Sequence, residues 1–398
     1  MPIDTPQEEL RRQNVADILN LILRKSPISR AIISHETGLS AQTVSVIVRN
    51  LVECGLIVET GIDWNGSVGR QPINLDIRGD GAYALGFNIE RDRLTKVLVN
   101  LKGEMIHRDF DNINPGDTPD ATLERMIQYA EWIMYRSEFA YTASKLSGIG
   151  IGTPGPIDYA RGVVISPPNF SSWSQISVRD YLKEKLNLPV VFDNSSTVAA
   201  IGELWRGRWS ENSFLYCHWG IGIGGGLILH GVPYRGMSGN TMEIGHMVVV
   251  NDGAMCHCGQ HGCLEMYSAI PAILRDASRL GDYRNWRTFV QHVNMTPGLH
   301  RVLVRAAEFL GQALVSVLNI VDVDLVIIGG HHFQEVQKFF MPVLTEIIET
   351  TSFRREVAKV SVMPSSLEEE AGAIGAALQV FQEVLLKTGV TRNPSRYR

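Results

Sequence analysis

The stretch Leu146-Ser147-Gly148-Ile149-Gly150-Ile151-Gly152-Thr153-Pro154-Gly155-Pro156 alternates glycine with isoleucine and then stops on two prolines. Such a run predicts a buried strand that ends in a tight turn, because proline has no N–H for a sheet ladder. The sequence on either side has the same character. Residues 83–89, 96–101 and 105–110 read as a strand meander, and residues 119–137 as a helix. Further on, residues 190–192 precede Asp193, residues 215–220 read as another strand, residues 222–231 as a glycine-rich hairpin, and residues 325–328 as a strand before Gly329-Gly330. Strands separated by helices predict an α/β body. Residues 81–398 in two such halves are long enough for two lobes with a cleft between them.

Upstream the period changes to helical. Val15, Ile18, Leu19, Ile22 and Leu23 recur at helical spacing, with breaks at Pro27 and Gly38. The segment Ile28-Ser29-Arg30-Ala31-Ile32-Ile33-Ser34-His35-Glu36-Thr37-Gly38-Leu39-Ser40 reads as a helix, a tight turn at Gly38, and a new helix start capped by Ser40. The helix over 41–54 turns Val44, Ile47, Val48 and Leu51 inward and Gln42, Thr43, Ser45, Val46 and Arg49 outward. That outward side carries no acid, and its amides, hydroxyls and guanidinium can bond phosphates and base edges. Residues 55–60 and 73–77 then alternate as two strands around Gly66, Ser67, Gly69, Arg70 and Pro72. A winged helix-turn-helix is expected, with Gln42, Thr43, Ser45 and Arg49 on the recognition helix and Ser67 and Arg70 in the wing meeting DNA. A protein-contact module is the competing reading, since residues 1–80 hold 8 basic against 10 acidic side chains.

Composition excludes several classes. With 44% hydrophobic and 20% charged residues, the 398-residue chain is neither disordered nor collagen-like nor a coiled coil. A net charge of −5 argues against a uniformly basic surface, so contact with nucleic acid must come from a local patch. No uncharged apolar run approaches the roughly 18 residues needed to span a bilayer, and Met1-Pro2-Ile3-Asp4-Thr5 lacks the pattern of a signal peptide. A cytoplasmic protein without membrane contact is expected.

Two motifs carry chemistry. Gly220-Ile221-Gly222-Ile223-Gly224-Gly225 formally matches a dinucleotide fingerprint, but Leu227-Ile228-Leu229-His230-Gly231 continues as a hairpin where the fingerprint needs a helix. The hairpin can approach a phosphate or sugar closely, or it is simply a tight turn of small residues. Of the five cysteines, three sit in Cys256-His257-Cys258-Gly259-Gln260-His261-Gly262-Cys263. His246, ten residues upstream, completes a closed tetrahedral set for Zn2+, with His257 or His261 as alternative fourth ligands and free thiols as the competing reading. Four protein ligands leave no open position, so the role is structural.

Taken in order, Gly152-Thr153-Pro154-Gly155-Pro156-Ile157-Asp158, Gly222 to Gly226, Glu243-Ile244-Gly245-His246 and the loop from Cys256 to Glu265 resemble the ROK family, which unites repressors, open reading frames and sugar kinases. The N-terminal winged helix resembles that of the family's transcriptional regulators. The resemblance implies an actin/hexokinase-like two-lobed body, a structural zinc, a homodimer or dimer of dimers, and sugar in the cleft held by Asn169, Asn194, Glu243, His246 and Glu265. It also implies departures from the kinases. Ser195 stands where they carry the aspartate that deprotonates the sugar hydroxyl, and Asn88-Ile89-Glu90-Arg91-Asp92 stands in place of their first phosphate loop. An unassisted serine is a poor general base, and Glu90 repels phosphate.

The expected organisation is a DNA-binding domain over 1–80, a first lobe over 81–195 completed by a C-terminal helix over 376–398, and a second lobe over 196–375 with the zinc loop and oligomerisation surface. The expected function is a repressor without enzymatic activity that binds operator DNA as a dimer and responds to a sugar or sugar derivative. The rivals are a sugar kinase with an accessory DNA-binding domain and a regulator controlled by a protein partner.

Overall fold

The computed structural model describes residues 6–62, 73–114, 116–168, 170, 172–207, 209 and 211–386. Three helices, α1 (Pro6–Lys25), α2 (Arg30–Thr37) and α3 (Ala41–Glu53), open the chain. Gly38 closes α2 with φ of 70°, a conformation glycine adopts without penalty, and the Ser40 hydroxyl caps α3 by accepting from the Thr43 amide at 3.1 Å. Val44, Ile47, Val48 and Leu51 are buried as their spacing requires, while Gln42, Val46 and Arg49 are exposed.

The start of α2 differs from expectation. Ile28–Ser29 form a short strand, β1, and the Ser29 hydroxyl caps the helix that follows. β1 pairs with β3 (Ile73–Ile77), which also pairs with β2 (Ile57–Ile62). Ile28 is apolar enough for either state, and its partner Leu75 decides in favour of the strand.

The body holds two five-stranded sheets with one topology used twice. The first comprises β4 (Tyr83–Ile89), β5 (Arg93–Asn100), β6 (Met105–Asn112), β7 (Leu146–Thr153) and β11 (Val190–Asn194), in the order β11-β7-β4-β5-β6. The second comprises β12 (Phe214–Trp219), β13 (Ile223–Leu229), β14 (Val232–Tyr234), β15 (Leu325–Gly329) and β16 (Ser361–Pro364), in the order β14-β13-β12-β15-β16. In each sheet an antiparallel meander is followed by two parallel strands. The hairpin β12–β13 takes the place of the helix that a dinucleotide-binding motif needs. A small sheet of β8 (Ile157–Asp158), β9 (Val163–Val164) and β10 (Ile176–Ser177) follows the proline turn.

Helices α4 (Pro119–Tyr135), α5 (Ala140–Ala143) and α6 (Val178–Leu186) belong to the first half. The second adds α8 (Glu265–Ser268), α9 (Ile270–Ala277), α10 (Trp286–His292), α11 (Pro297–Val321) and α12 (Phe333–Thr351). By length and composition α11 is apolar enough to cross a membrane, but Leu299, Leu303, Leu310, Leu314 and Leu318 lie in the core of this half beside Phe340 and Leu344 of α12.

Between the sheets cross α7 (Ser195–Arg206) and α13 (Ala371–Val380). Glycine makes the crossing possible. A Cβ on Gly375 would overlap the Val198 carbonyl, and one on Gly150 or Gly86 would overlap carbonyls of α13. Forcing a methyl into a backbone contact costs at the upper end of the range for overpacking. Gly375→Ala is therefore expected to lose about 3 kcal/mol of stability in a denaturant titration, while Gly116→Ala, which meets nothing within 4 Å, serves as the control. Equal midpoints for the two variants would refute this account of the crossing.

The winged helix is not detached. Ile18, Ile22, Leu51 and Leu75 belong to one buried cluster with Val97, Ile201, Ala377, Phe381 and Leu385. Residues Phe381–Leu386, a π-helical turn that continues α13, pack against α1.

Candidate functional site

The open ends of both sheets face a cleft of about 610 Å3, counting the space open to solvent. Its floor comes from Pro154 and Gly155 of the turn after β7, Asn194 and Ser195 at the β11–α7 junction, and Gly222 and Gly224 of the hairpin. Glu243, His246 and Glu265 close one side. Four of the five residues expected to hold sugar thus meet in one place. Asn169 lies outside the described residues, as do Ser67 and Arg70 of the wing.

Each of these side chains is fixed by local structure. Asn194 caps α7, its Oδ1 accepting from the Ser196 amide at 2.8 Å. Glu265 accepts from the Ile223 amide at 2.9 Å, which ties the start of α8 to the hairpin. Gly155 lets two of the groups converge, because a Cβ there would sit 2.9 Å from Glu243 Oε1 and 3.1 Å from Asn194 Nδ2. Burial, and then the neighbouring Glu265, raises the pKa of Glu243 above the usual carboxylate range. A buried ring of acceptors and amides of this kind suits a polyhydroxylated ligand, whose hydroxyls can donate to Glu243 and Glu265.

Arg91, on the turn between β4 and β5, crosses the cleft to the Ile221 carbonyl at 3.1 Å and to Glu265 at 3.4 Å. Gly222 gives it room, since a Cβ there would lie 2.7 Å from the guanidinium. Its neighbours Glu90 and Asp92 meet His218 and His331 of the other lobe. Burial opposes ionisation of both acids, but His331, joined by His218 at Glu90 and by His332 at Asp92, outweighs it and holds them below the usual range. Burial likewise disfavours the charged imidazole of His331, yet Glu90 and Asp92 push its pKa up to about 10. Behind the floor, buried Asp193 accepts from Arg235 Nε at 2.8 Å and Gln379 Nε2 at 3.1 Å. Arg91, His331 and Arg235 carry no local sequence signal for these roles; only the doublet His331-His332 after Gly329-Gly330 was there to be noticed.

The cysteine loop lies beside Glu265. The donor atoms of His246, Cys256, Cys258 and Cys263 all lie within 4.8 Å of one another, with Cys258 Sγ to Cys263 Sγ at 3.6 Å and Cys256 Sγ to His246 Nδ1 at 3.7 Å. Bonds of about 2.3 Å to sulfur arranged tetrahedrally put ligand atoms about 3.7 Å apart, so the set fits a four-coordinate ion. His261 is not in the converging set; its Nδ1 pairs with the Gly253 carbonyl at 3.0 Å. His246 also lines the cleft.

Residues 84–383 match the ROK family model, and residues 12–58 match a winged helix-turn-helix DNA-binding model. The chain belongs to the ROK family. It is 29% identical to the xylose repressor of Caldicellulosiruptor bescii over 394 residues, covering 94% of this chain and 97% of that protein. A glucokinase of Thermotoga maritima is 31% identical over 256 residues, covering 59% of this chain and 80% of the enzyme. Among solved structures, a ROK family transcriptional regulator described as a homologue of the Escherichia coli Mlc protein superposes with a TM-score of 0.79. It is 24% identical and covers 96% of this chain and 99% of that one. The two-lobed actin/hexokinase-like body and the N-terminal winged helix are thus the architecture of this ROK chain.

Proposed function

We propose that this protein is a sugar-responsive transcriptional repressor of the cytoplasm that binds operator DNA as a homodimer or dimer of dimers and has no kinase activity. The observation that carries the reading is the continuous core between the winged helix and the crossing helices of a cleft built for hydroxyl groups. Similarity to a xylose repressor over 94% of the chain supports it. The working units are residues 1–80 for DNA, a first lobe over 81–195 completed by the C-terminal helix, and a second lobe over 196–375. Asn194, Glu243, His246 and Glu265 hold the sugar together with Asn169, and His246, Cys256, Cys258 and Cys263 bind a structural Zn2+.

The mechanism is a population shift. Sugar between the lobes favours their closed arrangement; α7 and α13 cross at the hinge, and the Phe381–Leu386 turn that continues α13 packs on α1. Rotation of one lobe therefore moves the winged helix, and a few kcal/mol of preference takes two recognition helices off the roughly 34 Å repeat of successive major grooves.

The body resembles a glucokinase, yet two features oppose phosphoryl transfer. Ser195, and no acid, begins α7 at the cleft, and Glu90, Arg91 and Asp92 line the cleft where a phosphate loop is needed. An assay with ATP and a panel of pentoses, hexoses and amino sugars is expected to show no turnover, while thermal shift on the same panel identifies the effector; a ligand at 100 times its Kd adds about 2.7 kcal/mol to folding. Turnover above background would place the protein with the kinases.

On the DNA side, Gln42 and Arg49 are exposed on the recognition helix. Gln42→Ala and Arg49→Ala are each expected to weaken operator binding by about 1–3 kcal/mol, roughly 5- to 150-fold, without altering the melting temperature. Unchanged gel-shift affinity in both variants would remove the DNA-binding assignment of this helix.

A further inference from the structure

Two turns from opposite lobes meet at the rim of the cleft, one between β4 and β5 carrying Asp92, the other after β15 carrying His331 and His332. His332 Nε2 lies 3.0 Å and His331 Nε2 3.3 Å from the same oxygen, Asp92 Oδ2. The other ring nitrogens also face carboxylates. His331 Nδ1 is 3.3 Å from Glu90 and His332 Nδ1 is 3.2 Å from Glu335, which in turn accepts from Trp286 Nε1 at 2.6 Å. The two imidazoles lie 3.9 Å apart, centroid to centroid.

We propose that Asp92, His331 and His332 form a second metal site, a two-histidine, one-carboxylate set for a divalent first-row transition ion that fastens the two lobes together.

Hydrogen-bond accounting points to this set. His332 Nδ1 is within hydrogen-bond reach of Glu335, and His331 Nδ1 faces Glu90; with each proton on Nδ1, two Nε2 lone pairs face one carboxylate oxygen, and an ion between them satisfies all three atoms. Without an ion, Glu90, Asp92 and Glu335 hold the two rings as imidazolium ions whose centroids are 3.9 Å apart, and a divalent ion takes the place of the two Nε2 protons. Neutral imidazoles that donate Nδ1–H to a carboxylate and turn Nε2 to an ion are the recurrent outer-shell arrangement of metal sites. The spacing fits. Bonds of about 2.1 Å meeting at angles of about 90–109° separate ligand atoms by about 3.0–3.4 Å, the range in which both Asp92 distances fall.

Two nitrogens and one oxygen suit Zn2+, Ni2+, Co2+ or Fe2+ better than Mg2+ or Ca2+. Three protein ligands leave coordination positions open, and Asp92 and His331 both line the cleft, so those positions are available to water or to an oxygen of a bound molecule. The site is distinct from the thiolate cluster in place and in chemistry.

The test uses the untagged full-length chain carrying zinc in its cysteine loop, dialysed against Ni2+ and analysed for both metals. One nickel per chain in addition to zinc, with a raised melting temperature, is the expected result. Asp92→Asn and His332→Gln should each lose the nickel, keep the zinc, and melt as cooperatively as the parent does without nickel. Cobalt in place of nickel should show weak d–d absorption without the thiolate-to-metal charge transfer that the cysteine loop would give. A parent chain that takes up no nickel beyond its zinc overturns the proposal, and so does nickel uptake that survives both substitutions.

Discussion

Replacement of Cys258 by serine is expected to empty the thiolate cluster and lower the melting temperature by about 5–10 °C, because a neutral hydroxyl does not substitute for a thiolate and three ligands hold Zn2+ far less well than four. Structural zinc contributes about 10–16 kcal/mol to isolated fingers that are unfolded without it. Here the effect is smaller. A metal in this cluster would organise the loop alone, whereas the sheets and the α11–α12 core hold together through Leu303, Leu310, Phe340 and other apolar contacts. What the loop does control is position: Cys263 stands two residues before Glu265, and His246 shares the short 3-10 turn Ile244–His246 that follows Glu243. Response to sugar should therefore fall with metal content. Elemental analysis and melting of parent and variant decide the matter, and a Cys258→Ser protein with unchanged zinc and unchanged melting would exclude a structural metal.

Local signals were enough to read the winged helix and the strand-and-turn frame. Gly38, Ser40 and the spacing of Val44, Ile47, Val48 and Leu51 each act within one turn of chain, and the structure uses each as its chemistry dictates. The run 146–156 was legible for the same reason. The repeated topology was not, because strand order is set by long-range pairing that no local stretch encodes. Nor were the cross-cleft pairs. Arg91 finds Glu265 174 positions away and Asp92 finds His332 240 positions away, and such partners are chosen by sheet order and lobe packing rather than by any neighbour in sequence. The strand at Ile28–Ser29 belongs to this class too, since a two-residue strand exists only through its partner. Of the cleft residues, Asn194, Glu243, His246 and Glu265 were named through the family resemblance that their motifs carry, while the positive side chains beside them emerged only from the fold.

One of those side chains should carry a large effect. Arg235, at the end of β14, is the cation nearest buried Asp193, with Nε at 2.8 Å from a carboxylate that has no solvent exposure. Gln379 and the Asn194 amide also donate to Asp193, and Glu383 stands nearby as a second acid, 4.0 Å from the Arg235 guanidinium. Arg235→Met keeps most of the side-chain bulk but leaves the carboxylate buried without its cation. Breaking a buried pair in this way costs about 3–5 kcal/mol, and the remaining donors favour the lower end, about 3 kcal/mol near pH 7. The dependence on pH follows from Asp193 itself. Burial raises its folded-state pKa above the ordinary 3.8, with Arg235 opposing the rise. A carboxyl raised in the folded state favours folding below its unfolded pKa, and that contribution is lost as pH climbs through the folded value. Removing Arg235 raises the folded value further. The deficit of the variant should therefore be greatest near neutrality and shrink as pH falls toward about 5. Combining Arg235→Met with Asp193→Asn removes the uncompensated charge and should recover most of the loss, which makes the pair a double-mutant cycle with a large coupling energy. Denaturant titrations of the three variants across this pH range measure it, and a deficit that is independent of pH and unrelieved by Asp193→Asn would show that Arg235 acts through packing on Tyr159, whose ring centroid lies 5.3 Å from its guanidinium, rather than through charge.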